Sequence, residues 1–199
     1  MRGIDELVEL ISDFPGVGPR QARRIVQFIL GKDQTFREKL AAALVLIRKS
    51  VSQCTSCFRF ADSSANGLCN ICADKTREGA VLMVVEKDVD IEGVEASGAY
   101  HGRYFVLGGL IPMARQRKNG NGVRVKELMS RIEREKPAEV IFALAATPEG
   151  DYTAQEIVRD LKSLYASIKT THLGRGLSIG AEIEYADQET LRNAFKNRA

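Results

Sequence analysis

Apolar residues along this chain fall at two spacings, and the change between them divides it. Near the start the spacing is helical. In GIDELVELIS, Ile4, Leu7, Val8 and Ile11 recur every three or four residues and predict a first helix. A second is predicted from Arg20 to about Leu30, because at about 100° per residue Ala22, Ile25, Val26 and Ile29 fall on one side and Arg20, Arg23, Arg24 and Gln27 on the other. Thr35 and Glu38 have the spacing of a capping box, so a third helix is expected to start near Thr35 and to carry Leu40, Leu44 and Ile47. These helices would complete a small domain ending near Ser52.

In the second half the period changes. AVLMVVEKD (80–88) reads as a continuous buried strand ending at Glu86, and RYFVLGG (103–109) as another. Val125, Leu128, Met129 and Ile132 mark a helix between strands. AEVIFALAATPEGD (138–151) reads as a strand running into a loop that holds Glu149 and Asp151. Thr153 and Glu156 then repeat the capping-box spacing ahead of Ile157, Leu161 and Leu164. Strands alternating with helices argue a mostly parallel sheet with helices packed on it. Near the C-terminus IGAEIEYAD reads as a further strand and an interface segment.

Composition changes the picture only modestly. The 199 residues are 44% hydrophobic and 28% charged, as in an ordinary globular chain. The longest apolar runs, AAALVLI (41–47) and VIFALAA (140–146), are far short of the roughly 20 residues that cross a bilayer. MRGIDELVELI has acids where a secretion signal would be basic and then apolar, so a cytoplasmic protein with no membrane partner is expected.

All four cysteines sit in CTSCFRFADSSANGLCNIC, as two C-x2-C pairs separated by eleven residues. A reducing compartment disfavours structural disulfides. Each pair can chelate one side of a tetrahedral ion, so Cys54, Cys57, Cys69 and Cys72 are expected to hold one structural Zn²⁺, with a pair of redox C-x2-C motifs as the rival reading. A closed thiolate shell leaves no position for a reacting water, so this block speaks of architecture.

Chemistry with a partner is sought on either side of it. In FPGVGPRQARR, Gly16 and Gly18 are expected to allow positive φ in a tight turn, and Pro19 suits the first turn of a helix. Helix, glycine hairpin and basic helix together form a helix-hairpin-helix pattern. Its amides and helix N-terminus can present donors to a phosphate, and Arg20, Arg23 and Arg24 add attraction that is independent of base sequence. The plain alternative is a helical hairpin with a solvated basic face. The net charge is only +3, so any DNA binding must come from such local patches.

A second basic stretch lies between Pro112 and Lys136, with Arg115, Arg117, Lys118, Arg124, Lys126, Arg131, Arg134 and Lys136. It stands open between a solvated face and a second DNA contact. Glu86, Glu149 and Asp151 follow strands at the end where α/β sheets place their sites. They fit a shared Mg²⁺, or loop and helix-start acids with no metal at all. No phosphate-binding loop of the G-x-x-x-x-G-K-[ST] type occurs, and His101 and His172 are isolated.

The order of these pieces resembles the RecR family of bacterial recombination mediators. The residues that carry the likeness are FPGVGPRQARRI, the cysteine block with ICADKTR, VVEKDVDIEGVEASGAYHGRYFVLGGLI, TPEGDYTAQEI and GLSIGAEIEYADQETL. The resemblance implies an α+β multidomain fold. Its parts are a helix-hairpin-helix domain over 1–52, a four-cysteine zinc finger over 53–76, a Toprim domain over 77–173 and a C-terminal oligomerisation tail of strand and helix over 174–199.

It further implies a DNA-binding mediator without catalysis of its own. Such a protein acts with RecO and RecF in RecA-dependent repair of gapped DNA and assembles from dimers up to tetrameric rings. Carried over, Gly16, Gly18, Arg20, Arg23 and Arg24 meet DNA, and Glu86, Glu149 and Asp151 meet a partner or a residual metal. The alternative is a Mg²⁺-dependent Toprim nuclease or topoisomerase-like enzyme. Against it, the chain has Glu-x-Asp where such enzymes commonly have Asp-x-Asp, and Tyr100, Tyr104 and Tyr165 have no distinguishing context. The chain also departs from the family in its basic Pro112–Lys118 loop and at Ser178, Ala181 and Glu182 in the tail.

Overall fold

The chain divides at Ser52 into two units, Met1–Ser52 and Gln53–Ala199. The computed structural model describes residues 2–62, 64, 66–113 and 122–198. Arg115, Arg117 and Lys118 lie outside the described residues.

The first unit holds α1 (Arg2–Ser12), α2 (Pro19–Gly31) and α3 (Gln34–Ser50). Its core is Ile11, Ala22 and Val26, flanked by Ile4, Leu7, Val8 and Ile29 of the stripe the periodicity marks on α1 and α2, and by Val17 of the turn between them. Ile25 falls at the edge of that stripe and is 39% exposed. Two features of α3 depart from expectation. Its N-cap is Asp33, not Thr35: the Asp33 carboxylate accepts from Phe36 N at 2.7 Å, and its charge suits the helix N-terminus. No side chain of α3 is buried, and Leu44, Val45, Leu46 and Ile47 are each more than half exposed, so α3 does not complete a core within the unit.

At the division and just beyond it, β1 (Val51–Gln53) and β2 (Phe60–Asp62) form a short ribbon, followed by the single turn α4 (Asn70–Ala73). Then come β3 (Glu78–Val85), α5 (Val89–Ser97), β4 (Gly102–Val106), α6 (Val125–Glu135), β5 (Glu139–Ala143), α7 (Pro148–Leu164), β6 (Lys169–His172) and α8 (Gln188–Lys196). The four-stranded sheet has the order β4-β3-β5-β6. All its pairings are parallel, with Val85 opposite both Val106 and Ala143. The strand ends after β3, β4 and β5 are therefore level at one edge.

Alternation along β3 sends residues to two cores. Leu82 and Val84 pack with Phe105, Leu107, Leu128, Ile132, Phe142 and Ile157, under α6 and α7. Met83 and Val85 pack with Ile91, Tyr104, Val106 and, on the same face, Cys54, Cys57 and Cys69. The cysteine knuckle thus forms part of the sheet's second covering layer, beside α5.

Three further expectations are corrected. Helix α7 starts at Pro148 with Thr147 as its N-cap, so Glu149 and Asp151 lie in its first turn and not in a loop. Thr153 does not cap a helix; its hydroxyl donates back to Glu149 O at 2.7 Å. In the tail, Ile183–Tyr185 form a 3-10 turn where a strand is predicted. A strand needs a neighbouring edge for its backbone groups, and in this single chain Ile179, Ile183 and Tyr185 stand exposed. The Asp187 carboxylate then accepts from Glu189 N and Thr190 N and starts α8.

Candidate nucleic-acid interface, metal centre and acid face

The hairpin between α1 and α2 is built by its prolines and glycines. Val17 N donates to Phe14 O at 3.0 Å, closing the turn over Pro15 and Gly16. Gly16 has φ +77, which a side chain would resist, with open space where a Cβ would stand. Gly18 differs from the expectation of positive φ: it is the N-cap of α2 at φ −83 and ψ 171, with no side-chain cap. Pro19 has no N–H, so the first-turn donors left at this end are the backbone amides that follow it, with no side-chain cap. Arg20, Arg23 and Arg24 are all exposed on the side of α2 away from Ala22 and Val26. Among the described residues none of the three is drawn into an ion pair. Uncapped amides beside unneutralised guanidiniums are what a phosphate backbone requires.

The metal centre is built by two turns. Thr55 to Cys57 form one, with Phe58 N donating to Cys54 O at 3.0 Å and Phe58 itself at φ 63. The other is the start of α4, where Cys69 is the N-cap. All four thiol sulfurs lie within 4.8 Å of one another. Cys57 Sγ and Cys69 Sγ are 3.5 Å apart. A tetrahedral ion with bonds of about 2.3 Å separates its sulfurs by about 3.8 Å, so the set fits such an ion. Backbone amides support the sulfurs: Cys69 N donates to Cys54 Sγ at 3.3 Å and Cys72 N to Cys69 Sγ at 3.4 Å. Donation from Cys57 and Cys72 holds the Cys69 thiol far below the usual range, towards thiolate, while Cys57, whose proton is shared with Cys69, is pushed up. Among the described residues these four cysteines are the one group of three or more such side chains gathered closely enough to hold a metal.

The acid face lies at the level strand ends. Glu86 directly follows β3, with its side chain 15% exposed and Lys87 Nζ at 3.2 Å. Its carbonyl accepts from Gly108 N at 2.9 Å, tying the β3 end to the loop after β4. Glu149 and Asp151 are set by the cap on α7, where Gly150 N donates to Thr147 Oγ1 at 3.2 Å. Gly150 is required there: a Cβ would stand 2.0 Å from Ala145 O. Thr153 ties the loop after β4 to the first turn of α7, accepting from Ile111 N at 2.8 Å while donating to Glu149 O.

Asp151 is not free. Arg175, a residue the sequence reading does not single out, grips it with both terminal nitrogens, Nη1 to Oδ2 at 3.0 Å and Nη2 to Oδ1 at 2.5 Å. This guanidinium holds the Asp151 carboxyl below the usual range. Glu86, Glu149 and Asp151 therefore share a sheet edge without forming a gathered cation site.

Two residues of the basic stretch are also taken up internally. Arg131 is 2% exposed and donates through Nη1 to Tyr104 O at 2.7 Å and to Ser56 O at 3.1 Å, with Glu135 on its Nε. Arg124 donates to Val106 O at 3.2 Å and lies over the Phe58 ring. The signal for Arg131 is its place three residues after Leu128, on the apolar stripe of α6.

Comparison with known proteins bears on all three regions. Residues 4–47 match the RecR helix-hairpin-helix family, residues 80–172 the Toprim domain family and residues 176–199 the RecR C-terminal family. The chain is 36% identical to Recombination protein RecR of Amoebophilus asiaticus, over 98% of this chain and 94% of that one. It is 37% identical to Recombination protein RecR of Paenarthrobacter aurescens, over 98% and 95%. It is 39% identical to that of Pelagibacter ubique, over 98% and 93%.

Proposed function

The chain belongs to the RecR family, and from that premise we propose that it is a recombination-repair protein that binds DNA without regard to sequence and catalyses no reaction itself. The observation that carries the reading is the uncapped start of α2 beside Gly16, with Arg20, Arg23 and Arg24 exposed on one helix face. Amide donors and guanidiniums together grip phosphate, and such contacts carry no base information.

The working parts are taken as 1–52 for DNA, 53–76 for metal, 77–173 for the Toprim domain and 174–199 for assembly. The four cysteines hold one structural Zn²⁺, for which a closed thiolate set is the natural shell. RecO and RecF are the partners, and Glu86 and Glu149 offer RecO a negative face. The exposed faces of α3 and of the tail favour a homo-oligomer, from dimer to ring. The protein works in the cytoplasm, where its thiols stay reduced.

Pairing of Asp151 with Arg175, and of Glu86 with Lys87, weighs against a Mg²⁺-dependent Toprim enzyme, since two of the three acids already have a cation beside them. The test uses the Arg20→Glu, Arg24→Glu double variant on gapped and supercoiled plasmid with Mg²⁺. Wild type should retard both DNAs and release them unchanged after deproteinisation, and the variant should lose most affinity at matched salt. Nicked or relaxed DNA that disappears with Glu86→Ala would overturn the reading, as would full affinity in the arginine variant.

A further inference from the structure

The C-terminal segment poses a question of attachment. From Gly174 to Arg198 no side chain is buried, and Ile179, Ile183, Tyr185 and Phe195 are more than 60% exposed. Apolar burial within the chain is therefore only partial here, at Ala186, Leu191 and Ala194. The polar ties of the segment converge on one residue. Arg175 makes the two-pronged pair with Asp151 in the first turn of α7. Its carbonyl accepts from Asn197 Nδ2 at 2.7 Å, which brings the end of α8 back to the same point. Gly176 lies against Ala194, where a Cβ would meet the Ala194 Cα at an ordinary contact distance of 3.5 Å. Around this junction lies a polar recess of about 330 Å³, walled by Gln155, His172, Asn193 and Lys196 with the pair itself.

We propose that Arg175 is a positioning residue: it fixes the C-terminal segment onto the Toprim domain by taking Asp151 as its counter-ion, and so withholds that carboxylate from other cations while the segment is docked. The proposal deepens the partner reading above and rests on it only for naming the acids a partner meets. With Asp151 gripped by both guanidinium nitrogens, the acids left at the sheet edge are Glu149 and Glu86, the latter paired only with the exposed Lys87.

The geometry suits this role. A bidentate guanidinium–carboxylate pair fixes direction as well as distance. Arg175 and Asp151 are 28% and 39% exposed, so the pair is partly shielded from water. His172 beside Asp151 and Glu189 beside Arg175 each favour the charged state of the partner they face. Lysine at 175 would supply charge without the fork.

Hydrogen exchange followed by mass spectrometry on the full-length chain tests this, comparing wild type, Arg175→Gln, Asp151→Asn and the double variant. Exchange across residues 176–198 should rise about tenfold in each single variant and rise no further in the double, with β3 and β5 still protected. Arg175→Lys should recover only part of the protection. Unchanged exchange in Arg175→Gln would overturn the proposal, and so would single effects that add in the double variant. RecO binding measured on the same proteins keeps the two readings apart. RecO that binds neither wild type nor Arg175→Gln would remove the partner reading, while the exchange pattern still decides the role of Arg175.

Discussion

At the scale of single residues, the acid face depends on one glycine more than on its acids. A Cβ at Gly150 would collide with Ala145 O, a backbone atom that cannot swing aside. Gly150→Ala should therefore lower stability by about 3 kcal/mol in urea unfolding, since the first turn of α7 must shift. An effect below about 0.5 kcal/mol would mean the turn relaxes freely. Asp151 gives a pH dependence with a definite sign. Arg175 depresses its folded-state pKa, so its contribution is present above the ordinary aspartate range and is lost as pH falls through the folded value. The stability difference between wild type and Asp151→Asn, measured by urea unfolding, should be widest near neutral pH and close toward zero in strong acid. A gap that widens on acidification would contradict the pairing.

At the scale of elements, periodicity finds what is buried and fails where burial is absent. The stripes of α1, α2 and α6 and the runs of β3, β4 and β5 stand where spacing puts them, because each packs against a core that needs those positions. Helix α5 escapes the pattern because it is short, with Gly93 inside it and Ile91 as its one buried residue. Strand β6, with the sequence KTTH, carries no apolar run at all and is fixed by pairing with β5. The third helix is legible in the sequence, but its role is not. Its apolar residues face outward in the single chain, and such a face asks for cover. Leu44→Glu with Ile47→Glu should lower the assembly size seen by light scattering while the helical circular dichroism signal persists. An unchanged mass would leave α3 without a part in self-association.

At the scale of the whole molecule, the cysteine spacing announces a metal site but not what the site supports. Spacing gives four sulfurs one ion; it says nothing of the surface the knuckle lies on. That surface is the second face of the sheet. Cys54, Cys57 and Cys69 share a cluster with Met83, Val85, Ile91, Tyr104 and Val106. Cys57 O accepts from Val106 N at 2.8 Å, and Ser56 O accepts from the buried Arg131. Phe60 N donates to Asp88, two residues past Glu86, and Arg59 Nε lies 3.4 Å from the same carboxylate. None of these ties is visible in the sequence, because each joins residues far apart in the chain. Metal binding at such a site is folding free energy for whatever the site holds in place. Removing the metal with a chelator should then lower the melting temperature of the Gln53–Ala199 unit by roughly 10 °C or more, as expected for a loss of a few kcal/mol in a domain of this size. Hydrogen exchange should locate the damage: protection should fall in β4 and at the end of β3 as well as across the cysteines, and hold in α1 and α2. Exchange that rises only between Cys54 and Cys72 would show the knuckle to be an independent module, and the sheet to need no metal for its second face.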